Sequence, residues 1–459
     1  MSINAIPSTF RESNLVVGAG LTGLSCLRYL ERKGMSSKIY DDAINEDKLK
    51  KIRQISTVTD VYDSESDLDE VLKNVNTLLL SPGIPFDHPL VAKAQKKSLE
   101  LIGDIELFAR ENSKPVLAVT GSNAKSTVVT LLSLMAEADA IKVSLAGNIG
   151  RPILDSMYED NSDLYVLELS SFQLDITESL QANVSSILNV SPDHLDRYES
   201  YEAYALSKQK IYANSKVIIW NRDDQLTYPN TISQSKLLSF GLDEPKEFHF
   251  GLLRVGEETF LACGSEKIIN CAELMKRGIT DLQNALAAMA IAHSIGISYS
   301  AINDVLRTFK GLAHRCEWVT RFRDIDWVND SKGTNVGATQ AAIASVAKDS
   351  DGKSVVLIAG GDSKGGDLNL LNEMIQRHVK ALVLIGRDAQ LFVNQFSNSV
   401  PCILCSSLEE AVLKANEVAL AGNTVLLSPA CSSLDMFKNY LDRGDQFKRL
   451  ALGLSESVL

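Results

Sequence analysis

Short apolar runs separated by stretches of helix length recur along almost the whole chain, and this alternation narrows its folds more than any other feature. The runs Leu15 to Val17, Lys38 to Tyr40 and Thr77 to Leu80 come first, followed by Val116 to Thr120, Leu164 to Leu169, Ser185 to Asn189 and Val217 to Trp220. Amphipathic patterns predict helices over 281–295 and 298–309. Beyond the Gly311-Leu312 corner the alternation resumes at Ile325 to Val328, Ser354 to Ile358, Ala381 to Ile385 and Thr424 to Leu427. Buried strands alternating with crossover helices make parallel sheets, so the expected class is α/β. Three domains are expected, at residues 1–103, 104–311 and 312–459. The less regular stretch 222–272, with runs such as "EFHFGLLRV", predicts a peripheral antiparallel piece.

A chain of 459 residues with 45% hydrophobic side chains can bury cores of that size. Its formal charge of −12 repels nucleic acid and anionic membrane, and no local basic patch offsets it. Seven scattered cysteines are an odd number and unlike a secreted disulfide framework, so reduced thiols are expected, with Cys402 and Cys405 buried in the core. Cys402 and Cys405 have CxxC spacing, but on a strand they would point to opposite faces, and no second pair completes a metal site. The start "MSINAIPSTFRES" lacks a basic region followed by an apolar core, and no stretch reaches the ~18 apolar residues of a membrane span. A cytoplasmic protein without nucleic-acid or membrane partners is expected.

The strongest chemical signal is "VLAVTGSNAKSTVVTLLSLM", a strand running through Gly121, Ser122, Asn123, Ala124, Lys125, Ser126 and Thr127 into a helix. Loop amides and a helix N-terminus attract phosphate, and a lysine there is unfavourable unless an anion sits beside it. Gly121 lies four residues before Lys125, not six, so the generic phosphate-loop pattern is not matched. Gly18-Ala19-Gly20-Leu21-Thr22-Gly23 follows another strand and opens a helix. Alone it fits a dinucleotide fingerprint or a tight turn without a ligand. Glu168 ends an apolar strand, where ligands gather in open α/β sheets and where a carboxylate suits magnesium. His194 lies in "SPDHLDRY" on a strand-end loop, and Lys208 follows as one lysine on a charged helix face. "AGNIG" puts Asn148 in a turn. "CEWV" is preceded by His314 and Arg315, and "DWVNDSKGTN" ends a strand in a polar loop. Lys364 sits in the glycine-rich turn "AGGDSKGGD", and "SPACSSLDMFKNY" gathers further polar groups.

The loop at Lys125 resembles the shorter phosphate loop of the Mur ligases and folylpolyglutamate synthases, with Ala124 where glycine is usual. The resemblance to the Mur ligases runs from about residue 14 to the C-terminus. It implies an N-terminal Rossmann-like UDP-binding domain, a central P-loop-type ATPase domain and a C-terminal doubly wound, Rossmann-like domain. It also implies an ATP-dependent amide ligase that passes through an acyl phosphate. Residues matched to the UDP-substrate are Leu21, Thr22, Ser81, Pro82, Gly83 and Asn148. Those matched to ATP are the loop Gly121 to Thr127, Asp281, Arg315, Asp330 and Lys332. Ser126, Glu168, His194 and Lys208, the last if carbamylated, match the magnesium set, with two ions expected. Lys125, Glu168, His194 and Lys208 are the catalytic expectation.

Thr334, Lys364, Ser433, Leu434 and Tyr440 match the amino-acid site of the members that add D-glutamate to UDP-N-acetylmuramoyl-L-alanine. Tyr440 replaces the usual phenylalanine, and a monomer is expected. One motif departs: Gly278 to Asn284 keeps Asn284, but Asp281 stands where asparagine normally meets adenine. A folate-polyglutamylating enzyme would lack the glycine-rich N-terminal segment. An NAD-dependent oxidoreductase would leave Lys125, Lys332 and Lys364 without a purpose, and a non-catalytic UDP-sugar binder would leave the other phosphate-directed residues unexplained.

Overall fold

The computed structural model describes residues 14–159, 161–193, 197–232, 234–347 and 352–456. Three sheets follow one another along the chain. The first holds β1 (Asn14–Val17), β2 (Ser37–Tyr40), β3 (Val58–Tyr62), β4 (Thr77–Leu80) and β5 (Glu100–Ile102) in the order β3-β2-β1-β4-β5, all parallel. Leu15 and Val17 enter one buried cluster and Val16 another, so both faces of β1 are covered. That double burial is why these strands read as unbroken apolar runs.

The second sheet comprises β6 (Val116–Thr120), β7 (Val143–Gly147), β8 (Leu164–Glu168), β9 (Val184–Ile187), β10 (Val217–Asn221), β11 (Lys236–Phe240), β12 (Phe250–Val255), β13 (Glu258–Cys263) and β14 (Glu266–Asn270). Its order is β14-β13-β12-β11-β10-β9-β6-β8-β7. β12 to β14 pair antiparallel at one edge, as the alternating runs in 222–272 predict. One core cluster runs from Val16 and Ile39 through Phe108 to Tyr165 and Ile218, so the first two sheets share buried apolar surface. Arg28 pairs with Asp155, and Tyr29 donates to Glu111 at 2.7 Å across the same boundary.

The third sheet holds β15 (Glu317–Phe322), β16 (Ile325–Asn329), β17 (Val355–Gly360), β18 (Val379–Ile385), β19 (Cys402–Leu404) and β20 (Thr424–Leu427) in the order β15-β16-β20-β17-β18-β19. Only β15 runs antiparallel. Along β17, Val355, Leu357 and Ala359 face one cluster while Val356 and Ile358 face the other, so this sheet too is covered on both sides.

The two expected amphipathic helices form over Ile279–Ser294 and Tyr299–Thr308. All seven cysteines are free; Cys26 and Cys431 are buried and the other five are partly buried, so Cys402 and Cys405 are more exposed than the expected core position. Cys402 and Cys405 pack against clusters on opposite faces, as strand alternation requires. Among the described residues no helix is long and apolar enough to cross a membrane.

Candidate active site

The C-terminal ends of β6, β8 and β9 open on the loop Gly121 to Ala124, which leads into the helix Lys125–Ala138. Ala124 adopts φ 67° and ψ −6°, a left-handed conformation that glycine takes freely and alanine takes at a cost of about 1–2 kcal/mol. The loop is held from below. Asn123 N–H donates to Asn189 Oδ1 at 2.8 Å, and Ser122 N–H to the Asn189 carbonyl at 2.9 Å. The Ser122 hydroxyl is engaged internally, with Ser191 at 2.9 Å and Tyr204 at 3.0 Å, so Ser122 shapes the loop through its side chain.

Lys125 Nζ donates to the carbonyls of Gly121 at 2.7 Å and Ser122 at 3.0 Å. Its pKa is lowered, first by burial, against which Glu168 and Asp193 pull it upward. Lys208, on the helix Tyr201–Gln209, is only 2% exposed, so it is not a lysine on a solvated face as its sequence context alone suggests. Its Nζ also reaches the Gly121 carbonyl, at 3.0 Å, and lies 4.5 Å over the Tyr204 ring. Burial, then the Lys125 charge, pushes its pKa well down.

Glu168 is 2% exposed at the end of β8, and its carboxylate is fully engaged. Ser126 Oγ donates to Oε2 at 2.6 Å and Asn148 Nδ2 to Oε1 at 2.8 Å. Arg315, from the third segment of the chain, donates to Ser126 Oγ at 2.7 Å and so ties the two units at the loop. Asn148, expected at the UDP-substrate, is therefore brought to Glu168. His194 lies outside the described residues, as do its neighbours Leu195 and Asp196.

Between the second and third sheets lies a cavity of about 500 Å³, lined among others by Asn123, Ala124, Thr127, Asp281, Arg315 and Asp330. Lys332 lines it too. Asp330 is buried and its carboxyl is pushed up to about 7 by burial, against hydrogen bonds from Ser428 Oγ at 2.7 Å and Cys316 N–H at 3.2 Å. Lys332 stands 4.0 Å over the Tyr440 ring, and burial followed by the Arg315 charge brings its ammonium down to about 8. Asp281 is at the third position of the helix Ile279–Ser294, where its carboxylate accepts the Gly278 N–H at 3.2 Å. Its placement gives the departure from asparagine a local structural use, a one-sided helix cap, since Gly278 has no side chain to return a bond.

The third sheet gathers the other expected residues at the strand ends of β16, β17 and β20. Asp362 and Ser432 form an isolated bridge, and Ala430 N–H donates to the Gly333 carbonyl, which brings the loops bearing Thr334, Lys364 and Ser433 together. Lys364 is exposed, with φ 49°; Ser433 is buried and Leu434 is 70% exposed. Arg443 was not singled out in the sequence, yet it is fully buried. It donates to Ser331 Oγ at 3.0 Å, to the Ser331 carbonyl at 2.8 Å and to the Cys431 carbonyl at 3.3 Å. Burial lowers its pKa to about 10. Its spacing of four residues before Phe447, a core residue, reads as an ordinary helix face, so only the fold reveals it.

In the first sheet, Gly23 packs so tightly that a Cβ there would lie 1.7 Å from the Gly18 carbonyl oxygen. Ser81 Oγ donates to that same oxygen at 3.2 Å, so the turn Ser81 to Gly83 meets the glycine-rich turn. Leu21, 77% exposed, and the half-buried Thr22 begin the helix Leu21–Arg32 beside it. Asn335 and Asn189, also unanticipated, cross-brace the phosphate-type loop. Asn335 Nδ2 reaches Asp193 Oδ2 at 2.9 Å and Asn189 holds Asn123.

Family profiles match along the chain: the Mur ligase MurD-like N-terminal domain over residues 12–103, the Mur ligase middle domain over 119–292, and the Mur ligase glutamate ligase domain over 314–431. The UDP-N-acetylmuramoylalanine–D-glutamate ligase of Legionella pneumophila (strain Paris) is 44% identical over 443 residues, spanning 96% of this chain and 99% of that one. Its counterpart in Pseudomonas aeruginosa PAO1 is 43% identical over 435 residues, spanning 95% and 96%. The MurF ligase of Thermotoga maritima, solved with ADP, shares the fold at a TM-score of 0.61 and 14% identity, covering 99% of this chain and 100% of that chain. Matched end to end at these identities, the chain belongs to the Mur ligases, in the branch of the UDP-N-acetylmuramoylalanine–D-glutamate ligases.

Proposed function

We propose that the protein uses ATP to join D-glutamate to the L-alanine carboxyl of UDP-N-acetylmuramoyl-L-alanine, an early amide bond of the peptidoglycan precursor. The observation that carries this reading is the chain of contacts Asn148–Glu168–Ser126–Arg315 beside the cavity, because it puts acid, hydroxyl and guanidinium from two sheets at one phosphate-type loop. In this reading residues 1–103 hold the UDP-substrate, 104–311 the ATP and 312–459 the amino acid.

Lys125, the loop amides of Gly121 to Thr127 and Arg315 neutralise the triphosphate, while Lys332 and Asp330 hold its flank. Glu168 and Ser126 are oxygen donors already in contact, which is the donor set magnesium prefers, and with His194 and a carbamylated Lys208 they would hold up to two ions. Bound magnesium supplies charge neutralisation at the phosphates. The L-alanine carboxylate oxygen attacks the γ-phosphorus, ADP leaves, and an acyl phosphate forms. The D-glutamate amine then attacks the acyl carbon through a tetrahedral intermediate, loses a proton and expels inorganic phosphate. Positioning and charge stabilisation supply most of the acceleration in such transfers.

Thr334, Lys364, Ser433, Leu434 and Tyr440 border the acceptor amino acid, and Leu21, Thr22 and Ser81 to Gly83 the UDP end. A cytoplasmic, monomeric enzyme goes with this reading, since ATP and nucleotide sugars are made there. The test is phosphate release with ATP, magnesium, the UDP-muramoyl substrate and a panel of amino acids. Release with D-glutamate alone is expected; equal release with L-glutamate, or release that needs a folate, would overturn the assignment.

A further inference from the structure

Three residues after β9, Ser191, Asp193 and Arg197, between them reach all three sheets. Ser191 N–H donates to Ser122 Oγ at 2.9 Å beside the phosphate-type loop. Asp193 Oδ2 accepts from Asn335 Nδ2, on the loop that follows β16, at 2.9 Å. Arg197 reaches the first sheet: its Nη2 donates to the Ile84 carbonyl at 3.1 Å and its Nη1 to the Gly83 carbonyl at 3.4 Å. Those two carbonyls belong to the turn that begins at Ser81, a turn closed by Ile84 N–H on the Ser81 carbonyl at 3.0 Å.

The guanidinium is fixed from behind. Its carbon lies 4.2 Å from the centre of the Phe172 ring, and that ring stacks on Tyr198 with centroids 5.9 Å apart and planes 10° from parallel. Tyr198 in turn donates to Asp175 Oδ2 at 2.8 Å. Phe172 stands on the short helix Ser171–Asp175, which starts three residues after Glu168. The same segment sends Ile176 into the apolar cluster of the first sheet. A planar cation held on an aromatic face and forked toward two carbonyls fixes both distance and direction, which a lysine on a flexible stem does not.

We propose that Arg197 is a positioning residue that keeps the UDP-side turn Ser81 to Ile84 in register with Glu168 and the phosphate-type loop. A substrate whose nucleotide rests on the first sheet and whose carboxylate reacts at the second must span both, and an error in their separation is felt by that substrate alone. The inference rests on the functional reading above, because it needs the nucleotide end at Ser81 to Gly83.

The full-length enzyme is assayed with UDP-N-acetylmuramoyl-L-alanine, ATP and D-glutamate each varied in turn. Arg197→Ala is expected to raise KM for the UDP-substrate about tenfold while KM for ATP and for D-glutamate stays within about twofold, and Arg197→Lys to recover part of the loss. A purely structural role would lower kcat and thermal stability without singling out one substrate. Should Arg197→Ala fail to fold, Phe172→Leu, which removes only the ring behind the guanidinium, must raise the same KM about threefold. Unchanged constants, or a rise shared by all three substrates, would overturn the clamp alone. Wild-type enzyme that releases no phosphate in response to the UDP-substrate would overturn the functional reading, and the clamp with it.

Discussion

Lys125 and Lys208 direct their ammonium nitrogens at one oxygen, the Gly121 carbonyl, from 2.7 Å and 3.0 Å. Two buried cations sharing one acceptor repel each other: burial lowers the pKa of both, and the Lys125 charge lowers that of Lys208 further. An arriving polyphosphate relieves the repulsion, so the pair is arranged for an anion and costs stability without one. Lys125→Ala should therefore leave or raise the melting temperature while lowering kcat by a factor on the order of 10³ or more. Thermal melting and phosphate release on the same preparation check it, and a variant with normal turnover removes the loop from the reaction.

Lys332 gives a pH dependence on the alkaline side. Its ammonium titrates near 8, so its charge is present below that value and is lost as pH rises through it. KM for ATP should climb between pH 7.5 and 9 by roughly the ratio of total to charged lysine. Lys332→Met should show a KM that is already high and flat over that range. A wild-type profile with no rise would mean that Lys332 does not meet the phosphates.

Asp330 acts in the opposite half of the scale and on stability. Its carboxyl is raised from 3.8 to about 7, so the folded protein binds a proton that the unfolded chain releases. The stabilisation tied to that proton is complete below pH 4 and is lost as pH rises through 7. Wild type should lose stability between pH 5 and 8 relative to Asp330→Asn, by a few kcal/mol at most. Chemical denaturation at several pH values measures the difference, and parallel curves for the two proteins would refute it.

Ala124 carries backbone strain at the start of the phosphate-type loop. Ala124→Gly removes a left-handed penalty of about 1–2 kcal/mol but adds freedom to the unfolded chain, leaving a net gain of about 0.5–1 kcal/mol. A rise in the denaturation midpoint with unchanged denaturant slope is the expected result. A loss of stability would mean that the alanine methyl packs more usefully than its conformation costs.

What the sequence disclosed followed burial. Strands covered on both faces, such as β1, β4, β6 and β20, appear as continuous apolar runs and were placed to within a residue. Of the strands that escaped, β3, β5, β7 and β15 lie at sheet edges, where exposed positions such as Thr59, Asp60 and Val61 break the run; β11 escaped inside its sheet, a short strand opening on exposed Lys236 that pairs parallel with β10 within the stretch expected to be antiparallel. In the candidate site, residues on glycine-rich or strand-end loops were legible because their side chains suit anions better than packing. Arg443, Asn189 and Asn335 were not, because each acts by bracing another loop, and bracing is a property of distance in space that a single sequence does not print. Lys208 was legible only through resemblance, since its burial depends on the Tyr204 ring and on Gly121, far from it along the chain.

Arg443 spends its hydrogen bonds on a hydroxyl and on carbonyls, with no ion pair to a carboxylate among the described residues. Its charge is met only at a distance, by Asp435 and Asp330, so the guanidinium works as a strut between Ser331 and Cys431 that rests on neutral acceptors. Dissolved salt screens exposed ion pairs far more than hydrogen bonds in a buried interior, so this tie between the two loops holds at ionic strengths that loosen the surface pairs.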